Sequence, residues 1–255
     1  MNIRLDHLKD VIAREVFVTS ATERIVEPAG EESAWIFDFR RVLLKSDILD
    51  TIAELFWENS KEKTPFQVGG VEVAAVPLIA ALSLKAKEKG MAINGFFIRK
   101  SRKKSGLLRM IEGTLTDENV ILVDDLMNSG NSLMRQVEIL EKLNKKVAAI
   151  FVILRFRDLK YYTYFRDKGI EIYSLFSLDD FADSLHVKNL IPQQKKPVPM
   201  PFKAEWQFIS ERPNYFYVIP KSAPAVDNKK LYFGADNGNF WAINQKDGTV
   251  AWNSV

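Results

Sequence analysis

Val120-Ile121-Leu122-Val123-Asp124-Asp125-Leu126-Met127-Asn128-Ser129-Gly130-Asn131-Ser132 is the stretch on which the fold turns. Its four leading apolar residues suit a strand buried on both faces of a parallel sheet. Two adjacent carboxylates, Asp124 and Asp125, stand where that strand is expected to end. A short polar turn with one glycine follows. From Leu133 a helical pattern begins, with Leu133, Val137 and Leu140 on one face. Strand, small-residue turn and helix N-terminus together make an anion site, because unpaired backbone N–H groups and the helix dipole both favour a phosphate there. Ser129 and Ser132 add hydroxyl donors, and Gly130 permits a positive φ and close approach of a ligand. The acidic pair sets this stretch apart from a triphosphate loop. Asp124 and Asp125 can accept hydrogen bonds from vicinal hydroxyls, or hold a hydrated Mg²⁺. A phosphate on one side and a diol on the other describe a ribose 5-phosphate. The competing reading is an Asp-Asp turn that merely caps a helix.

Outward from this stretch, strands and helices alternate. Leu5 to Val16 has helical spacing, and Phe17 to Ser20 starts a strand. Ala21 to Ser33 reads as a polar loop or hairpin. Trp35 to Arg40 suits a strand and Leu43 to Trp57 a helix. Phe66 to Pro77 reads as strand, tight loop and helix start, with Pro77 suited to a first helical turn. That helix runs through Leu78, Leu82 and Leu84 to Gly90, a C-terminal cap. Ile93–Ile98, Val147–Leu154 and Ile170–Phe176 are further strands. Such alternation predicts an α/β fold, a parallel sheet with helices on both faces. Ligands of such sheets bind beyond the C-terminal ends of the strands, where the loops around residues 72–74 and 128–132 fall.

Composition bounds the chemistry. The chain of 255 residues suits one large domain, or one domain with an appendage. There is no cysteine, which excludes disulfides and thiolate metal sites. Two histidines, His7 and His186, lie far apart in sequence and argue against a His-based zinc site or a Ser-His-Asp triad. A net charge of +3 does not by itself argue for nucleic acid. No apolar run reaches membrane-spanning length, and the first residues lack a signal-peptide core. A cytoplasmic location with no membrane partner is the expectation. After the strand ending at Ile98, the stretch from Arg99 to Arg109 holds six cations in eleven residues. It reads either as a solvated loop with weak affinity for nucleic acid, or as a flap whose lysines neutralise a pyrophosphate.

The thirteen-residue stretch resembles the phosphoribosyl-pyrophosphate (PRPP) signature of type I phosphoribosyltransferases, with Asn128 where the family usually has a small or hydroxyl residue such as Thr. Arg99-Lys100, Lys103 and Gly106 resemble the catalytic loop of orotate phosphoribosyltransferases, with Ser105 in place of the family's His. Gly70 to Pro77 is similar to the pyrophosphate loop, with Ala74 at a position usually held by Gly. Trp35 to Arg40 resembles the family's aromatic-x-Asp-x-Arg strand, and Ser174 to Asp180 its closing Ser-Leu segment. The resemblance spans about residues 5–185 and implies the type I phosphoribosyltransferase fold with a small hood. It implies PRPP bound by Glu72, Val73, Ala74, Arg99, Lys100, Asn128, Ser129, Gly130, Asn131 and Ser132. It implies catalysis through Lys103, Asp124 and Asp125, with Mg²⁺ as cofactor at the two aspartates. The base, orotate by default, falls to Arg155, with Arg157 as second choice, and to Phe37; Leu154 stands where the family has Asp. A homodimer follows from the family's flap, which closes over a neighbouring subunit's site. The loss of the flap His leads us to expect reduced or altered activity.

Composition shifts after Leu190. Residues 1–190 form the expected phosphoribosyltransferase-like domain, and 191–204 a Pro-rich basic linker. Residues 205–255 are β-patterned: Tyr215–Ile219, Leu231–Gly234 and Asn239–Asn244 read as strands, with turn signals at Asp236-Asn237-Gly238 and Asp247-Gly248. With Ser222–Asp227, Trp241–Ile243 and Thr249–Trp252 they resemble one repeat of a pyrroloquinoline-quinone-type β-propeller. Trp206 lies 46 residues before Trp252, as if closing a preceding blade. One repeat cannot close a propeller, so the segment is expected to pack on the first domain or a protein partner, or the natural chain continues. No quinone is implied.

Two further readings stay open. One is a PRPP- or nucleotide-sensing module, in which Ser105, Ala74 and Asn128 mark lost catalysis and the β segment is a partner-binding platform. The other is nucleic-acid binding through the basic loop.

Overall fold

The computed structural model describes residues 2–25, 33–63, 65–100, 110–182, 224–234 and 240–254. The chain divides into two compact units, the first drawn from Met1–Arg99 and Ile111–Ile191 and the second from Lys100–Met110 and Pro192–Val255.

The first unit opens with α1 (Ile3–Val11), whose N-terminus is capped by the Asn2 side chain accepting from the Arg4 N–H. The helix continues into a wider turn over Ile12–Val16, so the expected helix to Val16 holds with its last turn loosened. Strand β1 (Phe17–Thr19) pairs antiparallel with β2 (Trp35–Phe37). Strand β2 is shorter than the Trp35–Arg40 reading. The Asp38 carboxylate accepts from the Arg40 N–H at 3.2 Å and turns Phe39–Arg41 into a 3-10 helix.

The principal elements follow: α2 (Ser46–Ser60), β3 (Phe66–Val71), α3 (Ala75–Glu88), β4 (Asn94–Ile98), β5 (Ile111–Gly113), β6 (Asn119–Met127), α4 (Asn131–Glu141), β7 (Val147–Arg155), α5 (Thr163–Asp167) and β8 (Glu171–Ser177). Six strands form one sheet in the order β5-β4-β3-β6-β7-β8. All neighbours are parallel except β4 and β5, where Phe97 faces Glu112 in an antiparallel pair. The sheet is therefore mixed rather than wholly parallel. Alternation could not show this, since β5 has only three residues and follows a long basic stretch.

Both faces of the central strands are buried, which is why they read as unbroken apolar runs. Ile121, Val123, Phe151 and Ile153 join a core with Ile48, Ile52 and Phe56 of α2 and Leu78 and Leu82 of α3. The alternate residues Val120, Leu122, Ile150 and Val152 are equally buried, as are Leu133, Val137 and Leu140 of α4. Clasping α2 to α3, Lys85 reaches Asp50 at 2.5 Å, Glu88 at 2.7 Å and Glu54 at 3.3 Å.

The connection order places the site. From β3 the chain crosses through α3 to β4 on one side; from β6 it crosses through α4 to β7 on the other. The C-terminal ends of β3 and β6, adjacent in the sheet, thus flank a topological switch point, the place where ligands bind in open α/β sheets.

The second unit carries a four-stranded antiparallel sheet in the order β12-β11-β10-β9, from β9 (Ala225–Val226), β10 (Lys230–Gly234), β11 (Phe240–Asn244) and β12 (Val250–Ser254). Tyr232, Ala242 and Trp252 stand in register, and the Trp252 ring lies 6.0 Å from Phe240 and 6.1 Å from Tyr232. The Asp247-Gly248 turn is present, with Gly248 at φ +72° donating to the Asn244 carbonyl. The expected linker, the Tyr215–Ile219 strand and the turn at Asp236–Gly238 lie outside the described residues.

Candidate functional site

Two loops meet at the switch point. The first follows β6. The sequence reading ended this strand at the carboxylates, but Asp124 pairs in register with Val152, Leu126 with Leu154 and Met127 with Arg155. Pairing with the long, apolar β7 carries the ladder through the acidic pair. Asp124 and Asp125 are therefore held on a strand rather than a turn, which restricts their motion. The Asp124 carboxylate accepts from the Asp125 N–H at 3.0 Å, and the Asp125 carboxylate from the Leu126 N–H at 2.8 Å. Burial pushes the Asp125 carboxyl above the usual aspartate range, and the nearby Arg40 charge opposes that push. Arg40 is itself held by Asp38 at 2.6 Å.

Gly130 then caps α4 at φ +79°, ψ −3°. A Cβ there would meet the Phe165 ring at 3.0 Å and the Met127 side chain at 3.1 Å, so the turn needs glycine for its conformation and for its space. The first intrahelical bond runs from the Met134 N–H to the Gly130 carbonyl. The N–H groups of Asn131 and Ser132 thus precede the helical ladder, with Asn131 N–H 3.5 Å from Ser129 Oγ. Asn128, Ser129, Gly130, Asn131 and Ser132 are contiguous around this helix start, and Asn128 Oδ1 accepts from Arg157 Nε at 3.3 Å.

The second loop follows β3. Gly70 packs against β6 so closely that a Cβ would lie 2.3 Å from the Val123 carbonyl oxygen. The Glu72–Val73 peptide is cis, and the Glu72 N–H donates to the Ile98 carbonyl at 3.0 Å. Val73 is exposed, and Ala74 has φ −63°, ψ −35°, a right-handed helical conformation in which alanine is at ease. The departure from glycine at Ala74 thus meets no backbone demand. Arg99 stands between Glu72 at 3.9 Å and Glu112 at 3.7 Å, which brings it to the pyrophosphate-type loop. Lys100 follows it in the chain, while Lys103, Ser105 and Gly106 lie outside the described residues.

On the β7 side, Arg155 Nε donates to Ser174 Oγ at 3.1 Å and Nη1 to the Arg157 carbonyl at 2.6 Å. Phe37 requires a correction. At 2% exposure it is a core ring, set among Phe17, Trp35, Phe156 and Phe181 with centroids 5.1–5.8 Å away, and it offers no open face for a base. Trp35, 5.8 Å from Phe156, is half-buried, as are Phe17 and Phe156. Sequence reasoning also missed Tyr162, whose hydroxyl lies 3.0 Å from both the Met127 and Asn128 carbonyl oxygens. One tyrosine among Tyr161, Tyr162 and Tyr164 carries no spacing signal that would single it out.

The site has carboxylates on a rigid strand, a phosphate-type helix start beside them and a second loop across the switch point. Residues 42–179, over half of the chain, match the phosphoribosyl transferase domain, and the chain belongs to that family. It is similar to the orotate phosphoribosyltransferase of Methanothermobacter thermautotrophicus, with 30% identity over 69% of this chain and 89% of the relative. The orotate phosphoribosyltransferase of Pyrococcus furiosus is 32% identical over 49% of this chain and 68% of its own length. Among solved structures, the Mycobacterium tuberculosis orotate phosphoribosyltransferase shares the fold with a TM-score of 0.58 at 24% identity, over 69% of this chain and 98% of that one. No helix among the described residues is long and apolar enough to cross a membrane.

Proposed function

We propose that the chain transfers the 5-phosphoribosyl group from PRPP to orotate. A bond forms between a ring nitrogen of the base and C1 of the ribose, the bond from C1 to the pyrophosphate oxygen breaks, and the proton released from the ring nitrogen balances the charge of the departing pyrophosphate. The observation that carries this reading is the Asp124-Asp125 pair on the end of β6, directly followed by the Gly130-capped start of α4. The helix start takes the 5-phosphate through N–H groups, and the carboxylates accept from the ribose hydroxyls. They also steady the positive charge that develops on the sugar in the transition state. Glu72, Val73 and Ala74 present the loop for the pyrophosphate, and Arg99, Lys100 and Lys103 neutralise it as it leaves. Arg155 takes the carboxylate of the base. Most of the rate comes from positioning and charge, with no protein nucleophile.

Mg²⁺ fits this donor set. Among the described residues no group of three or more metal-ligating side chains assembles, so Asp124 and Asp125 would hold the ion together with oxygens of PRPP and water. Bound there, it supplies positive charge to the leaving pyrophosphate. Ser105, in place of the family's His, lowers turnover in this reading. We further propose a homodimer in which each flap serves the neighbouring site, and a propeller-type repeat at the C-terminus that docks a protein partner. The four-stranded antiparallel sheet of the second unit supports the latter.

The test is pyrophosphate release from PRPP with Mg²⁺ across a panel of bases, alongside PRPP binding by calorimetry. Release with orotate is expected. Lys103→Ala should lower kcat by about 10²-fold or more while PRPP binding stays measurable. Tight binding without release from any base would replace this reading with a PRPP sensor; absence of binding would overturn both.

A further inference from the structure

We infer that Tyr162 is a positioning residue that sets the phosphate loop through two backbone carbonyls and ties it to the acceptor side of the site. The inference rests on the proposed use of the 128–132 loop for PRPP. A phenol has one proton to donate and lone pairs to accept with. The Tyr162 hydroxyl stands 3.0 Å from the Met127 carbonyl oxygen and 3.0 Å from that of Asn128, so its proton is shared between them. It accepts in turn from the Arg157 N–H at 3.3 Å. The side chain is 3% exposed, and burial raises the phenol above its ordinary value, so it keeps that proton across the neutral range.

Peptide planarity converts these contacts into ligand geometry. In a trans peptide the C=O and the following N–H point in opposite directions. Carbonyls of Met127 and Asn128 drawn toward Tyr162 therefore turn the N–H groups of Asn128 and Ser129 away from it. Those groups lie at the entry to the proposed phosphate loop. Other contacts brace the same turn from the same segment. The Phe156 N–H donates to the Met127 carbonyl at 2.9 Å, Arg157 Nε to Asn128 Oδ1 at 3.3 Å, and the Phe165 ring underlies Gly130.

The segment after β7 is thus the phosphate loop's support, and it directly follows Arg155, the residue assigned to the base. Arg155 Nη1 donates to the Arg157 carbonyl, the Arg157 N–H to Tyr162, and Tyr162 to the two loop carbonyls. Through the Arg157 backbone these bonds link the acceptor side to the phosphate side, and Tyr162 joins the two chain segments by its side chain, as Arg157 does through Asn128.

The experiment compares full-length wild type, Tyr162→Phe and Tyr164→Phe. Tyr164 is the neighbouring phenol, and among the described residues it makes no hydrogen bond to the loop. PRPP affinity is read by calorimetry, kinetic constants by pyrophosphate release, and folding by thermal midpoint. Tyr162→Phe keeps the ring and removes the hydroxyl. It is expected to raise the Kd and KM for PRPP roughly tenfold, with kcat within about twofold of wild type. Tyr164→Phe should leave all three where they were. An unchanged PRPP Kd in Tyr162→Phe overturns the inference. So does a rise in Kd that comes with a parallel fall in kcat and thermal midpoint, which would mark a merely structural hydroxyl. Should wild type bind PRPP yet turn over no orotate, the acceptor assignment falls while the binding arm still decides on Tyr162. Should wild type bind no PRPP, the inference falls with the reading beneath it.

Discussion

Asp125 illustrates how a single residue can be kept at a cost to stability. Its carboxyl is pushed up by burial, more than the Leu126 N–H and the Arg40 charge pull it down. A raised folded-state value means that its contribution to stability is fully present below the ordinary aspartate value of 3.8 and is lost as pH rises through the folded value. Above that folded value the ionised carboxylate therefore strains the fold. Asn keeps the acceptor for the Leu126 N–H and drops the charge. Asp125→Asn should gain about 0.5–2 kcal/mol of stability at neutral pH while losing most of its turnover, and the stability gap should close toward pH 3.8. Thermal midpoints at the two pH values check this; a variant less stable than wild type at neutral pH would show that ionisation is not the cost. The acidic pair was legible because an Asp-Asp break after four apolar residues has few structural uses. Tyr162 was not legible, since its partners are backbone carbonyls 34 and 35 residues away. Phe37 was misread for the opposite reason. An aromatic in a short alternating strand looks the same in sequence whether its ring faces a ligand or the core.

At the scale of elements, the helix pair α2–α3 is fastened by a lysine rather than by apolar packing alone. Lys85 has a side chain only 8% exposed and three carboxylates around it, of which Asp50 and Glu88 are well exposed and Glu54 is not. The hydrogen bonds that Lys85 donates to Asp50 and then Glu88 raise its value above 10.5, and the one that Lys89 donates to Glu54 lowers that carboxyl below 4.5. The lysine's contribution is present below its unfolded value of 10.5 and lost above its folded value. That of Glu54 is present above 4.5 and lost as pH falls through its depressed folded value. Between these limits the clamp is constant. Lys85→Met keeps the apolar stem but leaves three carboxylates facing one another. With two of them screened by solvent, the expected loss is about 1–3 kcal/mol. A urea midpoint that is level across neutral pH in wild type and lowered in the variant would bear this out; an unmoved midpoint would mean that the clamp is ornamental. Helices and strands with strong periodicity were readable. The three-residue β5 and five-residue α5 were not, because they hold too few residues for a period to register. The end of β6 was misplaced because carboxylates ordinarily leave a sheet, and here the pairing partner, not the local residues, decides the strand's length.

For the whole molecule, the mechanism turns on what completes each site: Arg99, beside the loop after β3, is followed in sequence by the basic stretch, which a neighbouring subunit would supply in the proposed homodimer. That arrangement has an arithmetic consequence. Lys103→Ala damages the flap and Asp125→Asn damages the sheet end, and each variant alone should be nearly inactive. In a mixed dimer of the two, one site combines both lesions and the other combines neither. Random reassortment puts half of the chains in mixed dimers, each with one intact site, so an equal mixture should recover about a quarter of the wild-type rate. If flap and carboxylates act within one chain, every site in the mixture keeps one lesion and nothing is recovered. Pyrophosphate release, measured before and after the two proteins are unfolded and refolded together, separates these outcomes. The gain of stability expected for Asp125→Asn makes that member of the pair a sound one to refold. Recovery would also place catalysis in the assembly rather than in the chain, and would give the orientation of the basic stretch a function that its sequence alone, six cations in eleven residues, left open between a flap and a solvated loop.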